Sequence, residues 1–532
     1  MKTDSCVYLD YAATTPVDPV VAEAMAASLT TDFGNPASTT HVFGARAAAH
    51  IETARAQIAA LIGARPSEIL LTSGATESNN LAILGYARAN AARGRHLVTA
   101  RTEHKAVLDP CKRLEKEGFR VTYLTPARTG QIAAEAVVAA MQADTVLVSI
   151  MHANNETGVL QDVTAIGQAC RERGIAFHSD AAQSAGKEPL DVGTMPVDLL
   201  SFTAHKLYGP KGVGALYVRG HARALLQAVS FGGGQERGLR PGTLPTHQIV
   251  GFGTACNVVQ PRMPAEQARL RGLRDRLWEG ISGLGGCHLN GAGAPRLAGL
   301  LNVSFEAVAG ESLIAGLREL ALATGSACNS ASEEPSYVLR ALGRDRQLAE
   351  ASLRFSIGRF TREQDVQVAI EAVNREVRRL RAVSPAWPCP IGVQQPPDEG
   401  EWNEAVTHPP DDLGALATRY FRRLPLGGTF SACDSHRVVT GEGGGSGQDA
   451  WVRFHLRVGD GIVKDARFEA LGCPHTLAVA AWIAEQLPTR RRESLVPGEP
   501  HAWARALAVP TEKLGRLLAV EDALRAALRH WS

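Results

Sequence analysis

Two hydrophobic rhythms alternate along residues 45–370. ARAAAHIETARAQIAALIGA (45–64) repeats its apolar residues at spacings of three and four, which predicts a helix. EILLTSG (68–74) is a short apolar run that ends in turn residues, and the polar–apolar ESNNLAILGYARANAARG (77–94) predicts the helix after it. HLVTA (96–100), RVTYLT (120–125), TVLVSIM (145–151) and IAFHSDA (175–181) are β-rich runs separated by further helical segments. Strands and helices in this order predict an α/β domain, a mostly parallel sheet with helices on both faces. In such a sheet ligands sit at the carboxyl ends of the strands.

The rhythm breaks over SPAWPCPIGVQQPPDEGEWNEAVTHPPD (384–411), where seven prolines argue for a semi-rigid linker. Beyond it, GEGGGSG (441–447) reads as a glycine-rich turn. AWVRFHLRV and IVKDARFEAL read as two strands, and helical stretches fill the rest of a C-terminal α+β domain.

Composition narrows the function classes. A chain of 532 residues is long enough for two to four domains. With 45% hydrophobic and 21% charged residues and a formal net charge of +2, nothing calls for nucleic acid or an anionic membrane as partner. The N-terminal MKTDSCVYLDYAATTPVDP has no apolar core of a signal peptide, and no apolar run of about 18 residues is present, so the expected location is the cytoplasm. Nine irregularly spaced cysteines without a CxxC pair argue against a zinc ribbon. Most are expected to be small buried hydrophobes, and only Cys328 and Cys473 sit in unusual settings.

The chemistry collects at strand ends. SFTAHKLYGPKGVGALYV (201–218) places Lys206 in a glycine-rich turn between two apolar runs. Such a lysine is a solvated loop charge, a phosphate grip, or an amine held against an aldehyde. LTSGATESNN (71–80) puts Ser73, Gly74, Ala75 and Thr76 at a helix start, where free N–H groups suit a phosphate; the plain alternative is an ordinary N-cap. His104 follows the strand HLVTA, and Asp180 ends an apolar strand where a carboxylate needs a cation or several donors. Pyridoxal phosphate requires a lysine amine, an acid facing its pyridine nitrogen, a phosphate cup and a ring against its face. Lys206, Asp180, the 73–76 turn and His104 supply all four.

The stretches LDYAATTP (9–16), FGNPAS (33–38), TSGATESNN (72–80), RTEHKAV (101–107), NNETG (154–158), SDAAQSAGK (179–187), TAHKLYGPKGVGALYV (203–218), GGGQERGLRPGT (232–243), GSACNSASEEPSYVL (325–339) and LRFSIGRFT (353–361) carry a resemblance over residues 1–381. In them the chain resembles the cysteine desulfurases, members of the class V aminotransferases and of the fold-type I pyridoxal 5′-phosphate enzymes. The resemblance implies that Lys206 binds the cofactor aldehyde and moves the substrate Cα proton. Asp180 would keep the pyridine nitrogen protonated, and His104 would stack on the ring and serve proton transfer. Asn155 and Gln183 would contact the ring hydroxyl and the bound substrate. Gly74, Ala75, Thr76, Thr203 and His205 would hold the phosphate, with Thr243 reaching it from a second subunit of a homodimer. Arg354 would pair with the substrate carboxylate.

Cys328 lies in the small, polar stretch GSACNSASEEPSY, unlike the setting of a structural core cysteine. The resemblance makes it the nucleophile that takes sulfur from L-cysteine as a persulfide, leaving L-alanine. Asn329 stands where the family often has threonine. The longer loop between Thr324 and Pro335 resembles the version that hands sulfur to several acceptor proteins. Selenocysteine lyase is the nearest rival, its substrate differing by one atom; a docking protein built around the C-terminal domain is the rival of another class.

GIVKDARFEALGCPHTLAVAAWIAEQL (461–487) and VPTEKLGRLLAVEDALRAAL (509–528) resemble the scaffold proteins on which iron–sulfur clusters are built. Cys473 matches the middle of that family's three cysteines. The first cysteine is missing near GGSGQDAW, where only Asp449 matches a nearby aspartate; the last falls at Arg516 and the histidine at Gly515. One matched thiolate cannot hold a [2Fe–2S] cluster, and a regrouping of Cys433, His436, Asp449, Cys473 and His475 is disfavoured. No metal site is assigned, Cys328 and Cys473 being the thiols a metal could use. The expected organisation is a desulfurase over 1–383, with a large domain at 16–260 and a small one from the N-terminal segment and 261–383. A linker at 384–411 and a degenerate scaffold domain at 412–532 complete it. That domain would accept a persulfide on Cys473, dock an iron–sulfur scaffold partner, or stabilise the dimer.

Overall fold

The computed structural model describes residues 6–324, 334–387, 413–430, 437–445 and 447–531. After a short N-terminal strand, β1 (Val7–Tyr8), come β2 (Ile69–Thr72), β3 (His96–Ala100), β4 (Arg120–Leu124), β5 (Thr145–Ser149), β6 (Ala176–Asp180), β7 (Leu199–Thr203) and β8 (Gly214–Val218). These last seven form one sheet in the order β2-β8-β7-β6-β5-β3-β4. β7, β6, β5, β3 and β4 run parallel, and β8 is antiparallel to both its neighbours.

Alternate strand residues feed two apolar layers. Leu71, Val98, Val148, Leu200 and Ala215 join one, closed by the helices Val42–Leu61 and Thr246–Ser282. Leu70, Leu97, Leu147, Leu199 and Leu216 join the other, closed by the helix Lys105–Lys116. Burial on both faces is why these strands read as continuous apolar runs.

The helix expected over 77–94 begins at Ala75, passes through a π-helical stretch at Leu81–Gly85 and ends at Ala89. Gly85 is where another segment presses close, since a Cβ there would meet the Gln227 carbonyl at 2.5 Å. Asn90 ends the helix by donating its side-chain amide to the Tyr86 carbonyl at 2.8 Å.

The helix Thr246–Ser282 runs on to a second sheet, packing Phe252 in the large core and Leu273, Leu277 and Ile281 in the next. That sheet contains β9 (Cys287–Leu289) and β10 (Leu300–Phe305); after β11 (Leu320–Ala321) it adds β12 (Ala323–Thr324) and β13 (Ser352–Ser356). Its order is β12-β13-β10-β9, all antiparallel, while β1 returns to pair in parallel with β11.

β14 (Val438–Gly444), β15 (Trp451–Gly459) and β16 (Ile462–Leu471) make an antiparallel meander covered by the helices Pro474–Gln486 and Leu518–His530. The glycine-rich turn expected at 441–447 is strand as far as Gly444. Its glycines serve packing: a Cβ on Gly441 would meet Ala527 N at 2.1 Å, and one on Gly443 the Ala519 carbonyl at 2.2 Å. The meander shares a continuous apolar core with the second sheet. Arg379 joins them by donating to the Phe421 carbonyl at 2.6 Å with its guanidinium over the Phe421 ring, and Ala470 N donates to the Val383 carbonyl. Residues 388–411 of the proline-rich stretch lie outside the described residues.

Candidate active site

Most residues of the expected pocket lie at or just beyond the carboxyl end of a strand, while Arg354 lies within β13. Thr72 ends β2, and Gly74 caps the helix Ala75–Asn80. His104 follows β3, Asn155 follows β5, Asp180 ends β6, and Thr203 ends β7 with His205 and Lys206 in the 3₁₀ turn behind it. β8 passes so close to the first of these turns that a Cβ on Gly214 would meet Gly74 Cα at 2.6 Å. The glycine behind Lys206 is therefore there for a backbone approach, and Gly212, at φ +82°, turns the chain into β8.

Asp180 is 5% exposed. Its Oδ2 accepts from Asn79 Nδ2 at 2.7 Å and its Oδ1 from Ala182 N at 2.8 Å, the donors a buried carboxylate needs. His104 caps the helix Lys105–Lys116, Nδ1 accepting from Ala106 N at 3.1 Å. Burial lowers the pKa of its imidazole, Lys206 adds to that and Asp180 opposes it, so the three groups sense one another. Glu103, fully buried behind them, is pushed well above the usual carboxylate range by burial, and the charge of Asp180 raises it further. Burial and the charges of Lys206, Lys211 and Lys187 take His205 down to about 4, so it is a neutral donor–acceptor at neutral pH.

Gln183 Nε2 donates to the Ala12 carbonyl at 2.8 Å, which fixes its side chain. Arg354 Nη1 donates to the Asn155 carbonyl at 2.8 Å and Nη2 to Asp10 Oδ1 at 2.7 Å. Asn155 Oδ1 and Arg354 Nε are buried without a hydrogen-bond partner among the described residues. Thr203 Oγ1 donates to the Val213 carbonyl, Thr76 is exposed at the helix start, and Thr243 is exposed on the segment before the long helix. Cys328 and Asn329 lie outside the described residues.

This donor set fits pyridoxal phosphate. A lysine, a buried carboxylate with acceptor capacity to spare, an imidazole and a glycine-lined cradle converge, and two buried polar atoms point to a further polar ligand. Three supporting residues were not singled out in the sequence: Asn79, Glu103 and Asp10. Each lies inside a quoted motif, but a motif does not say which of its side chains face one another.

In the C-terminal part, Cys473 is 2% exposed and caps the helix Pro474–Gln486. Its Sγ is 3.3 Å from Thr476 Oγ1. Burial pushes the thiol up, but hydrogen bonds from His475, Thr476 and Arg516 outweigh it and bring the pKa down to about 7. Arg516 Nη1 also donates to Glu311 Oε1 at 2.8 Å, Lys513 Nζ to Glu311 Oε2 at 3.0 Å, and Arg516 Nη2 lies 3.8 Å from Asp449 Oδ2. The position expected to hold the last scaffold cysteine thus lies against the middle one. An iron–sulfur cluster does not fit: among the described residues no three His, Cys, Asp or Glu side chains group as metal ligands, and a guanidinium occupies the ground beside the thiol. Cys433 and His436 lie outside the described residues.

The aminotransferase class-V family profile matches residues 7–368. The chain is 56% identical over 383 residues to a protein described as cysteine desulfurase IscS from Shewanella sediminis, covering 72% of this chain and 95% of the relative. It is 57% identical over 386 residues to one so described from Salmonella schwarzengrund, with the same coverages. Among solved structures, one titled as a NifS-like protein superposes with TM-score 0.65 at 35% identity, over 69% of this chain and 98% of that one. One titled "SspA in complex with cysteine" superposes with TM-score 0.60 at 41% identity, over 66% of this chain and 98% of that one.

Proposed function

The chain belongs to the class V aminotransferases and is a pyridoxal 5′-phosphate-dependent cysteine desulfurase, and from that premise we propose that it takes the sulfur of L-cysteine onto Cys328 as a persulfide, releases L-alanine, and supplies iron–sulfur cluster assembly or other sulfur-containing products. The placement of Lys206, Asp180 and His104 at the carboxyl ends of strands of one sheet, close enough for their charges to interact, carries the proposal.

Bound pyridoxal phosphate supplies an electron sink for the bonds at the substrate Cα. Lys206 would anchor the cofactor through its aldehyde and carry the proton to and from the substrate Cα. Asp180, held by Asn79 and the Ala182 amide, keeps a proton on the pyridine nitrogen. His104, whose imidazole burial makes harder to protonate, would lie against the ring and accept a proton. Gly74, Ala75, Thr76, Thr203 and neutral His205 hold the phosphate, joined by Thr243 of a second subunit in a homodimer. Asn155 and Gln183 meet the ring hydroxyl and the substrate. Arg354, fixed by Asp10 and the Asn155 carbonyl, turns its remaining donor edge to the substrate carboxylate.

We place the desulfurase at 1–383, the linker at 384–411 and a degenerate scaffold domain at 412–532. The contact between Cys473 and Arg516, the positions aligned with two scaffold cysteines, supports that last reading. A cytoplasmic location accords with the absence, among described residues, of any helix long and apolar enough to cross a membrane.

The test is incubation with L-cysteine without reductant, with alanine quantified and persulfides mapped by peptide mass spectrometry. Alanine together with a persulfide on Cys328, both lost in Cys328→Ser, is expected. No alanine would refute the reading and turn attention to selenocysteine.

A further inference from the structure

The turn at 184–187 follows β6 and Asp180. Lys187 N donates to the Ser184 carbonyl at 2.9 Å, and Gln267 Nε2, from the helix Thr246–Ser282, donates to the Lys187 carbonyl. Gly186 makes the turn at φ +73°. A Cβ on it would meet Leu207 Cβ at 3.0 Å, so the chain here lies against the residue after Lys206. The Lys187 side chain lines a cavity of about 40 Å³ together with Ala12, Tyr208, Glu266, Gln267 and Ser356 among others. That is room for about two water molecules beside the amine.

A lysine placed here for stability alone would meet a carboxylate. Among the described residues the one carboxylate lining the cavity, Glu266, is held by Arg359 instead, accepting from Nε at 2.6 Å and from Nη2 at 3.2 Å. Lys187 Nζ donates to Gln183 Oε1 at 3.4 Å. Burial, with the charges of Lys206 and Arg354, lowers the pKa of the amine to about 7, which sets it in the same electrostatic neighbourhood as those two cations of the active site. An amide side chain can face its surroundings in either of two orientations, and this one is fixed at both ends. The Ala12 carbonyl can only accept and takes Nε2, while the Lys187 amine, a donor in both its protonation states, takes Oε1. The second N–H of Nε2 is left over.

We infer that Lys187 is a positioning residue of the cofactor site, holding the Gln183 amide so that its nitrogen, and not its oxygen, meets the ring hydroxyl. The inference rests on the desulfurase reading for the role of Gln183. Among the described residues no other side chain donates to Gln183 Oε1. Without the lysine, water in the cavity competes for that oxygen, the amide gains a second orientation, and the ring hydroxyl loses part of its donor. Lys187 acts through Gln183 and not on the reacting atoms.

The experiment uses the full-length protein. It reads the visible absorbance band of the bound cofactor and the dissociation constant from titrating pyridoxal 5′-phosphate into the cofactor-free enzyme, with alanine formation from L-cysteine measured on the holoenzyme. Lys187→Met should shift the band and raise the dissociation constant about fivefold, the effect of one lost hydrogen bond. Lys187→Arg, which keeps a donor and has the cavity to fill, should recover at least half of both changes. In Gln183→Ala, adding Lys187→Met should change neither further, because the amide through which the lysine acts is gone. Lys187→Ser, which leaves the cavity to water, repeats the comparison should the methionine variant not fold. An unchanged band and affinity on removal of the amine would overturn the inference. So would effects that add in the double variant, or an arginine variant no better than the methionine one. A wild-type enzyme that binds the cofactor but makes no alanine would overturn the desulfurase reading, with the band still deciding this one.

Discussion

Arg354 Nη2 donates to Asp10 Oδ1 at 2.7 Å, across 344 residues of sequence. The guanidinium is 3% exposed, so it cannot turn to solvent if its partner goes. Asp10→Asn keeps an acceptor but removes the charge that fixes the fork. The variant should raise KM for L-cysteine about tenfold, ~1.4 kcal/mol of binding, with kcat changed by less than about threefold. Steady-state alanine formation reads the split; a fall in kcat alone would refute a positioning role.

Asn79 Nδ2 gives Asp180 one of its two donors. A hydrogen bond to a buried charge is worth about 1.5–3 kcal/mol. Asn79→Ala should therefore weaken cofactor retention about tenfold or more, while Asn80→Ala, whose side chain bonds only the Thr76 carbonyl, should not. Absorbance of bound cofactor through dialysis distinguishes the two; equal losses would refute the assignment.

Gly214→Ala would drive a methyl onto Gly74 Cα, with backbone on both sides. Overpacking of this kind costs about 1–3 kcal/mol, a fall of about 1–3 °C in Tm for a chain of this length. Cofactor content should fall with it, because the cradle widens. Gly272→Ala is the contrast: it lies in the helix Thr246–Ser282 with open space around it, and gains about 0.5–1 kcal/mol. Calorimetry with cofactor titration checks both.

Glu156 is 2% exposed and accepts from the Ser336 hydroxyl. Burial raises its pKa to about 7, although Ser336 and Arg354 pull it down. In the unfolded chain it ionises near 4.3, so between about pH 4.3 and 7 the native state holds the extra proton. Its contribution to stability is thus greatest below that range and is lost as pH rises through about 7. Glu156→Gln removes this dependence. From pH 5 to 8 the wild-type Tm should fall about 2 °C further than that of the variant, and parallel curves would refute the assignment.

Residues 96–100 are a strand in the structure with the bounds the sequence predicts, as fits a chain buried on both faces. The placement of Lys206, Asp180 and His104 at or shortly after strand ends was legible too, because each follows a run of apolar residues. Asn79 and Asp10 were not, since their importance lies in which side chain they meet. The glycines at 441 and 443 misled for a related reason: a glycine that admits a helix backbone reads the same as one that turns a chain. The π-helical stretch at Leu81–Gly85 ends where Gln227 N donates to the Gly85 carbonyl, a distant contact that no local pattern records.

β1 finds its partner only at β11, Val7 against Leu320. The seven strands of the large sheet are all made by residue 218, and the helix that closes one of its faces by residue 282. On the ribosome, at about 5–20 residues per second, the large sheet can close while the first strand made waits for the distant segment that completes it. Asp10 likewise waits for Arg354. A nascent chain with its large sheet formed therefore still lacks the Asp10–Arg354 pair, which closes only when the two distant ends of this part of the chain have been joined.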